Sequence, residues 1–172
     1  RCLSWLRKDT GEVRQRRPAG YADYRMGTAR LAGEGEWLVY TDSVQRIVAS
    51  PPQVMPHDRI VCRRAVDGEP AWDFRIGPTF ADPVVRSGRV YAGTADGMLF
   101  ALNLTGASAE DAFGVSDLRR VAWCFNAQAA CNAAPAVVGG KVFLAANDGG
   151  VHCLDAEDGR RLWSQSVAGP EP

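Results

Sequence analysis

The chain has 172 residues, 46% of them apolar and 23% charged, the make-up of a folded globular protein rather than a disordered one. Twenty basic residues balance twenty acidic ones, which excludes a global field that would steer the protein onto nucleic acid or an anionic membrane. No apolar run approaches the roughly 20 residues that span a bilayer, and five cysteines without a Cys-x-x-Cys pair or zinc-like Cys/His spacing argue against a structural metal.

In chain order, the first residues read as a strand already under way at Arg1 and Cys2, with no initiator Met or signal segment, which predicts a piece of something longer. The basic stretch Arg7, Lys8, Arg14, Arg16 and Arg17 reads as a solvated edge rather than a phosphate-binding patch. Short β-rich runs follow at 37–40, 59–62, 90–93, 98–102, 141–145 and 150–154, each bounded by Gly, Asp, Asn or Pro. Helical periodicity is absent apart from a turn or two at 107–118. Asp96-Gly97 and Asp148-Gly149 suit tight hairpins, because Gly accepts positive φ and Asp tolerates the left-handed region. Residues 50–57 read as a proline-rich loop interrupting the ladder, with Val54, Met55 and His57 as candidate partner contacts.

The runs repeat. Cys62 is followed six positions later by Gly68 and ten later by Trp72, and Cys153 likewise by Gly159 and Trp163. Residues 82–97 match 134–149, and Ala101 takes the small-residue position of a copy whose Trp is displaced to Trp123 by the 107–118 insertion. Cys2 is placed at the same repeated position as Cys62 and Cys153. A period of about 40 to 50 residues with several strands each predicts an all-β fold of propeller blades, four-stranded antiparallel sheets in an incomplete ring. The expected divisions are 1–15 as the end of a preceding blade, then blades at 26–72, 80–123 and 133–163, with 164–172 as a tail or the start of another. Such an arc needs further blades from the same polypeptide, a partner or another copy to cover its ends.

The pattern small-x-(Asp/Asn)-x-x-x-Gly-x-x-x-Trp resembles the tryptophan-docking motif of the pyrroloquinoline-quinone-like β-propeller repeat family. Cys153, Asp155, Gly159 and Trp163 match it best, and Cys62, Gly68 and Trp72 match with Arg64 in place of Asp. Ala101 with Trp123 forms the interrupted copy, and Gln15 stands where an earlier copy needs Trp. The resemblance implies that these residues dock successive blades, so Trp163→Ala is expected to destabilise severely.

The family contains quinone- and calcium-dependent dehydrogenases and cofactor-free scaffolds, so fold alone does not decide function. Asp96, Asn126, Asn132, Asn147 and Asp148 are candidate oxygens for calcium, but they sit where hairpin turns use the same residues. Cys124 and Cys131, six residues short of adjacency, cannot replace the adjacent Cys pair of the alcohol dehydrogenases that resemble this family; they are compatible with a local disulfide in an oxidising compartment or with two free thiols. His57 and His152 are the sole imidazoles, and no nucleophile elbow, P-loop or His-Glu-x-x-His occurs. The expected function is therefore a non-catalytic scaffold without catalytic residues, cofactor or metal. It would bind a protein partner or further blades in the periplasm or outside the cell, with a quinone-dependent dehydrogenase fragment as the alternative.

Overall fold

A computed structural model describes residues 2–6, 13–18, 31–48, 53–106 and 118–167, with side chains for 31–42, 58–106 and 118–167. Fourteen strands run in chain order: β1 (Cys2–Leu6), β2 (Val13–Pro18), β3 (Ala32–Glu34), β4 (Trp37–Val48), β5 (Gln53–Arg64), β6 (Pro70–Ile76), β7 (Val84–Arg86), β8 (Arg89–Gly93), β9 (Met98–Asn103), β10 (Val121–Asn126), β11 (Ala136–Val138), β12 (Lys141–Ala145), β13 (Gly150–Asp155) and β14 (Arg161–Ser166). They form three four-stranded antiparallel sheets, β3 to β6, β7 to β10 and β11 to β14, each with neighbours in sequence order, and a two-stranded sheet of β1 and β2. These are propeller blades built as meanders, in which each strand pairs with its neighbour in the chain.

The core lies between sheets rather than within one. Val39, Ile60, Cys62, Phe74 and Ile76 of the first blade meet Val90, Ala92, Leu102 and Leu104 of the second. Tyr91, Leu99, Ala101, Trp123, Ala127 and Cys131 of the second meet Val142, Leu144, Ala146 and Leu154 of the third. Alternate residues of β8 and β9 thus serve different seams, Val90 and Leu102 one and Tyr91 and Ala101 the other, because side chains alternate across a strand.

Three expectations change. The expected blade ends at 72, 123 and 163 fall inside β6, β10 and β14, so residues 164–166 complete a strand rather than open a tail. Residues 53–57 are not a loop: β4 and β5 pair from Trp37↔Arg64 out to Val48↔Gln53, with Val54, Met55 and His57 on β5 opposite Ile47, Arg46 and Val44. Pro56 is tolerated there because β6 partners β5 only from Asp58 onward, leaving an edge on which a missing N–H removes no ladder bond. The side chains of Val54, Met55 and His57 lie outside the described residues, as do residues 107–117 of the insertion. Finally, Trp5 and not Cys2 shares the register of Cys62, Ala101 and Cys153. Trp5 pairs with Gln15 beside a bulge, as Cys62 pairs with Trp72 and Cys153 with Trp163.

Candidate functional site

The repeated Trp builds the seams. Trp72, opposite Cys62 in register, donates its indole N–H to the Leu104 carbonyl of the second blade at 2.9 Å. Trp123, opposite Ala101, donates to the Ala156 carbonyl of the third at 3.1 Å. Leu104 and Ala156 follow Ala101 and Cys153 at the same spacing, so each indole reads the same backbone position of the next blade. A buried aromatic with its one polar atom satisfied contributes its apolar area without the cost of an orphaned donor.

What covers the ring differs between seams. A Cβ on Gly159 would lie 2.5 Å from Trp123 Cδ2, and Gly159 has a φ of +74°, so only glycine lets that turn approach the indole. A Cβ on Gly106, one residue short of the matching position, would meet nothing within 4 Å; at this seam the Arg120 guanidinium stands 4.5 Å from the Trp72 ring centroid while donating to the Asn103 carbonyl at 3.0 Å. Arg120 is 5% exposed, and the indole face and the carbonyl are what it gains for its lost water.

A polar layer runs beside the indoles. The Glu34 carboxylate accepts from the backbone N–H groups of Ser87 at 3.0 Å and Gly88 at 2.8 Å. Arg89 reaches the third blade, donating to the carbonyls of Ala156 and Glu157.

On the third blade the pattern is left uncovered. Trp163 is 46% exposed, its ring centroid 6.1 Å from that of Phe143, and its indole N–H has no acceptor among the described residues; Leu162, Val138 and Val167 are exposed as well. Cys153 and Asp155 stand on β13, Gly159 under Trp123, and Gly68 is buried, its carbonyl accepting from Arg63 at 3.0 Å.

Cys124 and Cys131, read from the sequence as a local disulfide or two free thiols, stand here as two free thiols. Cys124 is exposed on β10, whereas Cys131 is buried against Gly93, where an added Cβ would meet its own at 3.0 Å. Burial pushes the Cys62 thiol up to about 12 against the opposing pull of Arg120. Burial, with Asp148 and Asp96 adding to it, pushes Cys131 up to about 11. Neither is a thiolate nucleophile near neutrality.

The candidate calcium oxygens are bonded locally or exposed. Asp96 accepts from the Thr94 hydroxyl, Asn126 Oδ1 from the Gln128 N–H at 2.8 Å, and Asp148 Oδ1 from the Gly150 N–H at 2.9 Å, while Asn132 and Asn147 are exposed. Among the described residues no three His, Cys, Asp or Glu side chains are grouped to hold a metal ion. His152 is buried with its ring centroid 5.3 Å from that of Phe125, and neither ring nitrogen has a partner. Sequence reasoning missed Glu34, Arg86 and Arg120. Aligning the 32–37 turn with the matched turns at 86–89 and 138–141 was the signal for the first two; Arg120 had none, because the insertion breaks the repeat just before it.

Stacked four-stranded sheets joined by a docking Trp define a PQQ-like repeat β-propeller, of which the described residues contain three four-stranded blades and a separate two-stranded sheet. The chain belongs to the family described as outer membrane protein assembly factor BamB, whose model matches residues 9–171. Among solved structures it is similar to BamB from Moraxella catarrhalis, with 18% identity and a TM-score of 0.56 over 80% of this chain and 36% of that one. It is also similar to the computationally designed Ika4 protein, at 17% identity and a TM-score of 0.52 over 90% of this chain and 81% of that one. A europium-containing methanol dehydrogenase matches at 17% identity and a TM-score of 0.51, over 86% of this chain and 27% of that one. The chain thus spans about a third of the length of the BamB structure it matches, and identities this low establish the shared fold alone. No curated protein sequence matches it significantly. Among the described residues no helix is long and apolar enough to cross a membrane.

Proposed function

We propose that the chain is a non-catalytic propeller scaffold that mediates protein–protein interaction or assembly within a larger protein or complex, outside the cytoplasm. The observation that carries this reading is Trp163. It holds the position from which Trp72 and Trp123 each dock a further sheet, yet it stands 46% exposed with its donor unused. An exposed aromatic of this size packed only on Phe143 is an interaction face, since isolated soluble domains seldom leave such a surface open. Membership of the BamB family supports an assembly role and an extracytoplasmic place. The dehydrogenase alternative rests on the shared fold alone.

A native mass spectrum of the protein isolated from its own source, without added ligand, tests this. Additional blades or a partner protein, with no small-molecule adduct, is the expected result. A lone species of this chain that is stable by itself, or a quinone-plus-calcium increment, overturns it.

A further inference from the structure

The first hairpin of the second and third blades has the same backbone. Ser87 and Gly88 have φ of 52° and 72°, and Gly139 and Gly140 have 58° and 71°. Two successive positive-φ residues turn two adjacent N–H groups outward, a concavity suited to an anion. In the second blade that anion is on view: Glu34 of the first blade places one carboxylate oxygen on each N–H. Register makes Arg86 the counterpart of Glu34, since Glu34 pairs with Trp37 and Arg86 with Arg89 as the residues closing their turns. Where the first blade presents a carboxylate to the second, the second therefore presents a guanidinium to the third. Among the described residues the Gly139 and Gly140 N–H groups have no acceptor and the exposed Arg86 has no ion pair. Between them opens a crevice of about 650 Å³, lined also by Arg89 and Tyr91. Asp155 and Glu157 also line it beside the glycine turn, Asp155 opposite Lys141 in register and already accepting the Glu157 N–H at 2.8 Å.

The geometry points to this crevice as a binding site for a carboxylate side chain of an acidic peptide segment. One oxygen would accept from each of Gly139 and Gly140, and Arg86 would supply the opposing charge. A carboxylate has the two-oxygen span that Glu34 demonstrates at the sister turn, and its single charge is repelled less by Asp155 and Glu157 than a phosphate dianion would be. The anion site rests on the turn and Arg86; that its carboxylate comes from a protein partner rests on the scaffold reading.

The test is an amide-resolved NMR titration of the ¹⁵N-labelled protein with a capped Glu-Glu-Glu peptide, its Gln-Gln-Gln counterpart and inorganic phosphate. The expected result is saturable shifts of Gly139 and Gly140 with the Glu peptide alone. Arg86→Glu should rebuild the Glu34 arrangement, moving both amides without any peptide and weakening peptide binding by about tenfold or more, while Arg86→Gln weakens binding and leaves the free amides in place. Glu34→Arg should open a second site, read at Ser87 and Gly88. No saturable shift with the Glu peptide, equal shifts with the Gln peptide, shifts with phosphate alone, or binding indifferent to both Arg86 variants each overturns the proposal. Saturable binding here in a protein whose native mass shows no partner would sink the scaffold reading and leave the carboxylate site standing.

Discussion

Trp123 and Trp163 occupy one position of one repeat and do different work. Trp123 is 7% exposed, wedged onto Gly159 with its N–H on Ala156, whereas Trp163 is 46% exposed and touches its own blade through Phe143. The intrinsic chemistry of the side chain is the same in both places. What differs is whether a neighbouring sheet brings a close backbone and a carbonyl, so the motif encodes half of a seam and the next blade supplies the other half. Stability in such an array is a sum of sheets and of the contacts between neighbours, and the last sheet has one such contact fewer.

The largest effect follows directly. Trp123→Ala removes a buried indole between two sheets and should cost about 3–5 kcal/mol, read as a lower denaturant midpoint with both flanking blades losing amide protection. A loss below about 1 kcal/mol would break the comparison, because Trp123 would then be no more a keystone than Trp163.

Next in size is the glycine beneath it. Gly159→Ala must accommodate a Cβ 2.5 Å from Trp123 and a φ of +74°, and about 2 kcal/mol or more of destabilisation is expected. Gly35→Ala, with a φ of +61° and nothing within 4 Å, carries the conformational cost alone and should lose about 1 kcal/mol. The difference between the two isolates the contact with the indole.

The first seam should respond to Arg120. Arg120→Met keeps a long apolar stem but removes the charge over Trp72 and the bond to Asn103, and a loss of about 1–2 kcal/mol is expected. Urea denaturation of the single and double variants with Trp72→Phe would show coupling between the two positions; independent effects would mean that the guanidinium does not work through the ring.

The repeat, the all-β class and the docking Trp were legible because period, glycine and aromatic positions are properties of the chain alone. Residues 53–57 were misread for a physical reason: three prolines suggest a broken ladder, yet a ribbon with no third strand on that side accepts Pro56 at its edge. The misplacement of Cys2 has a related origin. Cysteines were matched by type, whereas the bulge fixes register by spacing to the glycine and places Trp5 there. Arg120 and the pairing of Glu34 with Ser87 and Gly88 join residues from different blades, and no spacing within one repeat reports contacts of that kind.

The buried thiols give the comparison a pH axis. Cys62 lies in the first seam and Cys131 in the second, and both are held protonated in the folded chain, with values raised from 9.0 to about 12 and about 11. Above pH 9 the unfolded chain releases these protons while the folded one keeps them, so stability present below pH 9 falls as pH rises toward the folded values. Thermal midpoints measured across that alkaline range should fall for the native protein and fall less for Cys62→Ala and Cys131→Ala; identical slopes would place the thiols in water.

The smallest expected effect is the most informative about the open face. Trp163→Ala in the chain alone should cost less than about 1 kcal/mol, against the severe loss that the motif by itself implies, because nearly half of the side chain is already in water. If a further blade covers Trp163 in the assembled protein, the same substitution there should cost as much as Trp123→Ala, since the indole would then gain both a backbone to pack on and an acceptor for its N–H. Equal small losses in both settings would mean that the third blade is a true end of the array. A cost that grows on assembly would locate the next contact at this one side chain.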